Sequence, residues 1–205
     1  VNGAVVFVPH AVRGEEIDLR ITKVMKTSCA GEIVKIHNPS PERMEPECPY
    51  AGKCGGCAYR HLTYPEELWA KRQRVQEALT RLGGSDVTVE EILGAAQPLR
   101  YRNKSQYPVS ADGRVGFYRA RSHQVVEVEH CLLQKPQADA LAAALRQYLA
   151  QYHVPGYDET TGRGLVRHLY VRTNCKGESL VCLLVNGESL PYETELVALL
   201  RQAAP

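Results

Sequence analysis

The sequence predicts an α+β fold, with short strands near the start and strands mixed with amphipathic helices afterwards. Three observations lead to this class: period-two alternation of apolar and polar residues, helical spacing of apolar residues in later segments, and turn sequences between the two. Hydrophobic residues make up 44% of the chain and charged residues 23%, a composition typical of a folded protein. At roughly 150 residues per domain, 205 residues correspond to one or two domains.

The first part of the chain has the pattern of three short strands. In EIDLRITKV, the residues Ile17, Leu19 and Ile21 alternate with polar residues, as in a half-buried strand. The segments AVVFV and GEIVKI have the same character. Three strands are too few to close a barrel, so we predict an open barrel or meander, or a barrel whose first strand lies upstream of Val1. Residues 38–49, with four prolines and no periodicity, are predicted to be a linker.

The first helix and a strand-rich region are predicted after this linker. The helix begins at Thr63, which forms a capping-box pattern with Glu66, and it ends at the following Gly-Gly pair. The segment VTVEEIL has strand character. The Ala-Asp-Gly sequence at residues 111–113 predicts the turn of a hairpin, and QVVEVEH predicts a further strand.

Two more helices and one more hairpin complete the expected fold. A helix follows Pro136, and its predicted apolar face consists of Ala138, Leu141, Leu145, Leu149 and Tyr152. LVRHLYVRTN and SLVCLLVNGE read as a hairpin, and a third helix opens near Pro191. Because the chain starts with Val1 and this last helical pattern stops without a cap, we expect the sequence to be a fragment.

Charge and hydropathy exclude several classes of protein. The formal net charge is only +2, so the chain is no polycation. The longest apolar run, residues 180–185, is far shorter than the ~20 residues of a membrane-spanning helix. The N-terminal residues lack the charged region of a secretory signal, so we expect a cytoplasmic protein without a membrane partner. Nothing in the sequence indicates an oligomeric state.

The cysteines carry the clearest chemical signal. There are seven, an odd number that argues against a disulfide framework in a protein without a secretory signal. Cys48, Cys54 and Cys57 form C-x5-C-x2-C, which is closer to the plant-type iron–sulfur spacing than to the two close pairs of a structural zinc site. The spacing favours an iron–sulfur site; zinc and unligated thiols are the alternatives.

A fourth ligand must come from elsewhere in the chain. The candidates are Cys29, Cys131, Cys175 and Cys182. Cys131 ranks first because it follows a predicted strand and precedes a loop and a helix, a position that presents a thiolate without distorting a sheet. Cys182 is flanked by apolar residues and is predicted to be a free buried thiol.

A basic and aromatic stretch points to nucleic acid. Between residues 100 and 121 there are six cations and a single acid, interleaved with tyrosine and phenylalanine. Cations suit phosphates and planar rings suit unpaired bases, which favours RNA binding; the alternative is a solvated hairpin whose aromatic rings belong to the core. The candidate RNA-binding residues are Arg100, Tyr101, Arg102, Lys104, Phe117, Arg119 and Arg121. No phosphate-binding loop, dinucleotide fingerprint or nucleophile elbow is present, so no residue is predicted to be catalytic.

Several motifs together resemble one family. CPYAGKCGGCAYRHLTYPEEL, YRNKSQYPV and GFYRARSHQVVEVEHCLLQ resemble the S-adenosylmethionine-dependent RNA (uracil-5-)-methyltransferases, which make 5-methyluridine in ribosomal and transfer RNA. FVPHAVRGEEIDLRITK is similar to the end of the family's TRAM domain, an RNA-binding barrel of the oligonucleotide-binding type, so the resemblance spans nearly the whole chain. Separate motifs in the same order are more specific than a single cysteine pair.

This resemblance implies a cofactor, a partner and a reaction. It implies a 4Fe-4S cluster on Cys48, Cys54, Cys57 and Cys131. It also implies RNA as the partner, with 23S ribosomal RNA favoured over transfer RNA and no DNA expected, and places Arg102 and Lys104 near the substrate. In the family, a cysteine attacks C6 of an exposed or flipped uracil, C5 takes the methyl group, and an acidic residue removes the C5 proton.

The catalytic half of the family is expected to be missing. The Rossmann-like domain that binds S-adenosylmethionine normally follows, and neither Cys175 nor Cys182 lies in the family's catalytic motif. We therefore expect that only the full-length protein binds S-adenosylmethionine and that this chain alone transfers no methyl group. The expected domains are a partial TRAM domain at 1–41, the iron–sulfur loop and the start of a helix at 42–74, and a truncated central RNA-binding domain at 75–205.

Two other functions are compatible with the same residues. The first is a stand-alone RNA-binding module with a structural iron–sulfur or zinc site and no catalysis. The second is an electron-transfer protein, which is less favoured because the sequence has no flavin motif and no second cluster motif.

Overall fold

A computed structural model describes residues 3–204 of the chain, and these residues divide into two compact units. The first unit consists of the residues up to Glu47 together with Ala58–Gly94. The second consists of Cys48–Cys57 and the residues from Ala95 onward. The fold is similar in class to the α+β prediction. Within the described residues, no helix has both the length and the apolar character needed to cross a bilayer.

The first unit contains a three-stranded sheet. Its strands are β1 (Val5–Phe7), β2 (Glu16–Val24) and β3 (Ser28–Asn38), in the order β1-β3-β2. β2 pairs with β3 antiparallel, whereas β1 pairs with β3 parallel. The three predicted strands are therefore confirmed, but the parallel pair excludes a simple meander.

A buried ion pair joins the segment before β2 to the segment after β3, at the same end of the β2–β3 pair. Glu15, whose side chain is 1% exposed, accepts a hydrogen bond of 2.8 Å from Arg43 Nη2 and one of 2.9 Å from the Val12 amide. The Arg43 guanidinium lowers the pKa of Glu15 to about 2, although burial alone acts in the opposite direction. The folded state thus binds this proton less tightly than the unfolded chain.

We expect this pair to make the first unit sensitive to acid. Because the folded pKa is lowered from 4.5 to about 2, the stabilisation is complete above pH 4.5 and is lost as the pH falls toward 2. Glu15→Gln should lower the free energy of unfolding at pH 7 by about 3 kcal/mol at most and flatten this pH dependence. The free energy of unfolding of the first unit is measured at each pH by urea unfolding, followed by the fluorescence of Trp69, the chain's single tryptophan. Glu32→Gln, in an exposed pair with Arg20, is the control and should change little.

The helix of the first unit is α1 (Tyr64–Glu77), followed by a π-helical turn at Ala78–Leu82. Thr63 caps it by accepting a hydrogen bond from the Glu66 amide, as predicted. The Glu66 side chain does not complete the capping box; it is buried and binds Arg13 Nη2 at 2.9 Å. The predicted end of the helix at the glycine pair is confirmed, since the Gly83 amide donates to Ala78.

The segment VTVEEIL, residues 87–93, is not a strand, and this prediction was wrong. Its backbone is bound by side chains of α1: Arg72 Nε donates to the Val89 carbonyl at 2.7 Å, and Gln76 Oε1 accepts from the Val89 amide at 2.8 Å. These side chains take the place of a neighbouring strand, which is why period-two patterning misled the prediction.

The second unit contains two sheets and two helices. β4 (Lys104–Pro108), β7 (Val166–Thr173) and β8 (Ser179–Val185) form an antiparallel sheet with β7 in the centre, and β5 (Gly116–Tyr118) pairs with β6 (Val125–Glu127). The helices are α2 (Pro136–Gln151) and α3 (Glu193–Ala203). The β7–β8 hairpin, the helix after Pro136 and the third helix confirm the predictions.

The core of the second unit lies between α2 and the β4-β7-β8 sheet. Leu141 and Leu145 of α2 are at most 1% exposed, as is Leu169 of β7. The predicted apolar face of α2 is confirmed, with Tyr152 only partly buried. The predicted turn at residues 111–113 is also confirmed, with Gly113 at φ +83°. Its two arms, however, separate into different sheets, because β4 pairs with β7 and β5 pairs with β6.

Candidate functional site

Three of the candidate ligands lie in a short loop, Cys48–Cys57, which packs within the second unit. Turn hydrogen bonds fold the loop on itself: the Ala51 amide donates to the Cys48 carbonyl at 3.0 Å, and the Cys54 amide to the Tyr50 carbonyl at 2.8 Å. The loop is held at β5 by a hydrogen bond of 2.9 Å from the Gly55 amide to the Tyr118 carbonyl. Backbone hydrogen bonds thus hold the loop in a folded conformation against β5.

Glycine is required at position 55 by the closeness of this contact. A Cβ atom added to Gly55 would lie 2.8 Å from the Ala120 amide nitrogen and 2.9 Å from the Tyr118 carbonyl oxygen. Backbone atoms cannot move aside as a flexible side chain can. Gly55 therefore allows the close packing of the loop on β5 and on Ala120, which follows it.

Cys131 lies in the loop between β6 and α2, and a buried carboxylate holds it there. The Cys131 amide donates to both carboxylate oxygens of Asp139, each at 3.2 Å, and Asp139 is 5% exposed. Arg100 Nη1 donates to the Cys131 carbonyl at 2.7 Å and to Asp139 at 3.0 Å. The Tyr50 hydroxyl accepts from the Glu129 amide at 3.1 Å and so joins the cysteine loop to the residues that precede Cys131.

The four thiols of these two loops influence one another electrostatically. Burial raises the pKa of Cys54 and of Cys57, and the neighbouring Cys131 and Cys48 raise both pKa values further. Arg102 acts in the opposite direction on both thiols, and the Gly56 amide, 3.4 Å from Cys54 Sγ, does so on Cys54. Without a metal, Cys54 and Cys57 are thus protonated at neutral pH, and metal binding would release protons.

The described residues do not form a site for a single metal ion. Among residues 3–204, no three His, Cys, Asp or Glu side chains are arranged as ligands of one ion. The three other cysteines lie in other elements of the chain. Cys29 lies in β3 of the first unit, and Cys175 lies exposed in the turn between β7 and β8.

Cys182 is exposed, so its prediction as a buried thiol was wrong. β8 is an edge strand, and only one of its faces packs on the core. Cys182 belongs to the other face, together with Leu180, which is 66% exposed. Apolar neighbours on both sides in sequence therefore did not indicate burial, because in a strand the adjacent residues point to the opposite face.

The candidate RNA-binding residues lie in different environments. Tyr101, Lys104, Arg119 and Arg121 are exposed, and Arg102 is half-buried with its Nη2 3.4 Å from the Gly56 carbonyl. Arg100 makes the internal bonds described above. The ring of Phe117 packs on the buried Tyr107, with ring centres 4.9 Å apart.

Asp139 is a site residue that sequence reasoning missed. It lies in the first turn of α2, among alanine and leucine residues that form the core. A single carboxylate on an apolar helix face, eight residues after a candidate ligand, was the available signal. Such a group is buried at a cost unless it is paired, so it indicates a partner in the structure.

No protein-family model matches the chain. Individual RNA methyltransferases do match. An uncharacterized RNA methyltransferase of Clostridium tetani is 41% identical over 201 residues, which is 96% of this chain and 44% of that protein. One of Caldanaerobacter subterraneus subsp. tengcongensis is 36% identical over 209 residues, which is 100% of this chain and 46% of that protein. The chain thus spans less than half the length of the curated relatives it matches.

A solved structure has the same fold. The crystal structure of the Pyrococcus abyssi tRNA (uracil-54, C5)-methyltransferase in complex with S-adenosyl-L-homocysteine matches with a TM-score of 0.71 and 21% identity. The match covers 93% of this chain and 44% of that one. The chain is therefore related to a portion of RNA methyltransferases, both in sequence and in fold.

Proposed function

We propose that this chain is the RNA-binding and cluster-bearing portion of an RNA uracil-5 methyltransferase, acting on 23S ribosomal RNA in preference to transfer RNA. The observation that carries the proposal is the grouping of Cys48, Cys54, Cys57 and Cys131 in one unit. These are the four positions at which the chain resembles the family's cluster ligands. The matches to RNA methyltransferases support the same assignment.

The donor set fits a 4Fe-4S cluster, because such clusters are held by cysteine thiolates, and C-x5-C-x2-C with a remote cysteine is closer to an iron–sulfur spacing than to the two close pairs of a structural zinc site. Arg102 and the Gly56 amide provide positive charge next to the thiolates. When bound, the cluster would join the Cys48–Cys57 loop to the loop of Cys131 through iron–thiolate bonds.

The proposed RNA surface consists of three exposed cations, the half-buried Arg102 and one exposed tyrosine. We assign phosphate contacts to Arg102, Lys104, Arg119 and Arg121, and base stacking to Tyr101. Arg100 is assigned to the Cys131 loop, and Phe117 to the core, because of the contacts they make. The β1-β3-β2 sheet is proposed to be part of a TRAM domain and to add RNA contacts. In the whole protein, S-adenosylmethionine is the proposed methyl donor.

Loss of 5-methyluridine from RNA tests this function. We expect deletion of the gene to abolish one 5-methyluridine in 23S ribosomal RNA, measured by mass spectrometry of nucleosides from separately purified ribosomal and transfer RNA. Re-expression of the gene should restore the modification, and a gene with the exposed Cys182→Ala substitution should restore it equally. Loss from transfer RNA alone would correct the substrate. If neither RNA loses 5-methyluridine, a stand-alone RNA-binding module becomes the better description.

A further inference from the structure

The second unit contains a cavity that the proposed cysteine site does not use. Its volume is about 300 Å³, at the lower end of the range for ligand pockets. No cysteine lines it. Its lining includes Tyr118, His123, Tyr157, Glu159, Arg167 and His168.

The walls of this cavity carry planar groups. The Tyr118 and His123 rings have their centres 5.3 Å apart at an angle of 37°, and the guanidinium of Arg167 lies 4.4 Å from the centre of the Tyr157 ring. Aromatic and guanidinium planes are the surfaces on which unpaired bases stack in single-stranded nucleic acid complexes. The walls therefore suit a flat ring.

Polar groups at the same cavity suit the edge of a base. Glu159 binds the ring of His123 through one carboxylate oxygen and lies 3.5 Å from the Tyr118 hydroxyl through the other. The Glu159 side chain is 43% exposed, so its carboxylate can also accept a hydrogen bond from an N–H group on the edge of a base.

The charges indicate which part of a nucleotide enters. Asp158 and Glu159 line the cavity and outnumber Arg167, the one arginine or lysine in its lining, so the lining has no excess of positive charge for a phosphate. Exposed cations lie in the same loops: Arg119 and Arg121 follow Tyr118, and the Arg163 carbonyl accepts from the Asp158 amide at 2.7 Å. A base can thus lie inside the cavity while the phosphates on either side of it contact the arginines of the adjoining loops.

We propose that this cavity binds one unpaired base of single-stranded RNA, stacked between its aromatic walls. The proposal rests on the proposed function, and it adds a base-binding pocket separate from the cysteine cluster. The proposed ligand is a strand rather than a free phosphorylated metabolite, because the acids in the lining outnumber Arg167 and exposed arginines lie in the adjoining loops.

Crosslinking and binding to one RNA probe test this pocket. The probe is a single-stranded oligouridine of roughly ten nucleotides that contains 4-thiouridine, within the usual site size of such proteins. With the chain, we expect crosslinks in residues 118–123 or 157–168. Tyr157→Ala should weaken binding about tenfold, as expected for loss of one stacked base, and should remove these crosslinks. His123→Ala, at a side chain that is 76% exposed, should also weaken binding without affecting folding.

The control is His153→Asn, at an exposed histidine outside the cavity. His153 has φ +51°, which asparagine tolerates, so the variant should fold and bind RNA as the wild type does. If the wild type binds RNA, both cavity variants bind it as well as the wild type does and the crosslinks lie elsewhere, then the cavity does not bind a base. The proposed function would still stand. If the wild type binds no RNA even at low salt, the proposed RNA-binding function itself fails.

Discussion

Cys131→Ala is expected to yield a colourless protein with little iron. The substitution removes one of the four proposed thiolates, and it does so in the loop that lies apart in sequence from the other three. Visible absorbance should fall almost to zero, and iron should fall from about four atoms per chain toward none. Because ligand bonds formed only in the folded state add to the free energy of folding, the variant should also be less stable than the loaded wild type.

Two other cysteines provide matched controls for this experiment. Cys175 and Cys182 are exposed in the same unit, so Cys175→Ala and Cys182→Ala should keep both the colour and the iron. Absorbance and iron assays on anaerobically purified protein compare all three variants directly. Unchanged absorbance in Cys131→Ala would remove Cys131 from the ligand set and direct attention to Cys29 or Cys175.

The sequence was sufficient to predict the elements of the core. In α2, apolar residues at helical spacing face the sheet, and Leu141 and Leu145 are buried as the pattern requires. The β7–β8 hairpin follows from two alternating segments around a polar turn. These predictions succeed because local periodicity and burial agree, so that a single pattern determines both the element and its inner face.

The errors arose where the conformation or burial of a residue depends on contacts with other parts of the chain. Residues 87–93 alternate like a strand, yet Arg72 and Gln76 of α1 bind their backbone. Cys182 has apolar neighbours but lies on the open face of an edge strand. Strand partners and sheet order are not local properties, so no window of sequence contains them.

The candidate site could be predicted in part for the same reason. The spacing of Cys48, Cys54 and Cys57 is local, and the structure has all three in one short loop; that they bind a cluster stays a prediction. The contact that holds Cys131, in contrast, comes from Asp139, whose role depends on the packing of α2 against Arg100. A carboxylate surrounded by alanine and leucine has no motif, and only the fold reveals its partners.

Asp139→Ala is expected to destabilise the second unit and to release the Cys131 loop. The carboxylate is buried and accepts hydrogen bonds from the Cys131 amide and from Arg100, so its removal leaves the Cys131 amide unpaired and Arg100 with backbone carbonyls but no counter-charge. Breaking a buried ion pair costs about 3–5 kcal/mol. Because the Arg100 side chain is 39% exposed and can be hydrated again, we expect about 3 kcal/mol, the lower end of that range.

Hydrogen exchange distinguishes loop release from a general loss of stability. Peptides that cover residues 129–135 should exchange much faster in Asp139→Ala than in the wild type, and iron incorporation should fall even where the rest of the unit stays protected. Asp112→Ala is the matched control, since it removes an Asp–Arg pair that is exposed on both sides and is worth at most about 1 kcal/mol. Equal unfolding free energies and equal exchange in the two variants would show that Asp139 does not hold the loop. If residues 129–135 exchange as slowly in Asp139→Ala as in the wild type but the iron content falls, Asp139 acts on the Cys131 thiolate itself, through the Cys131 amide.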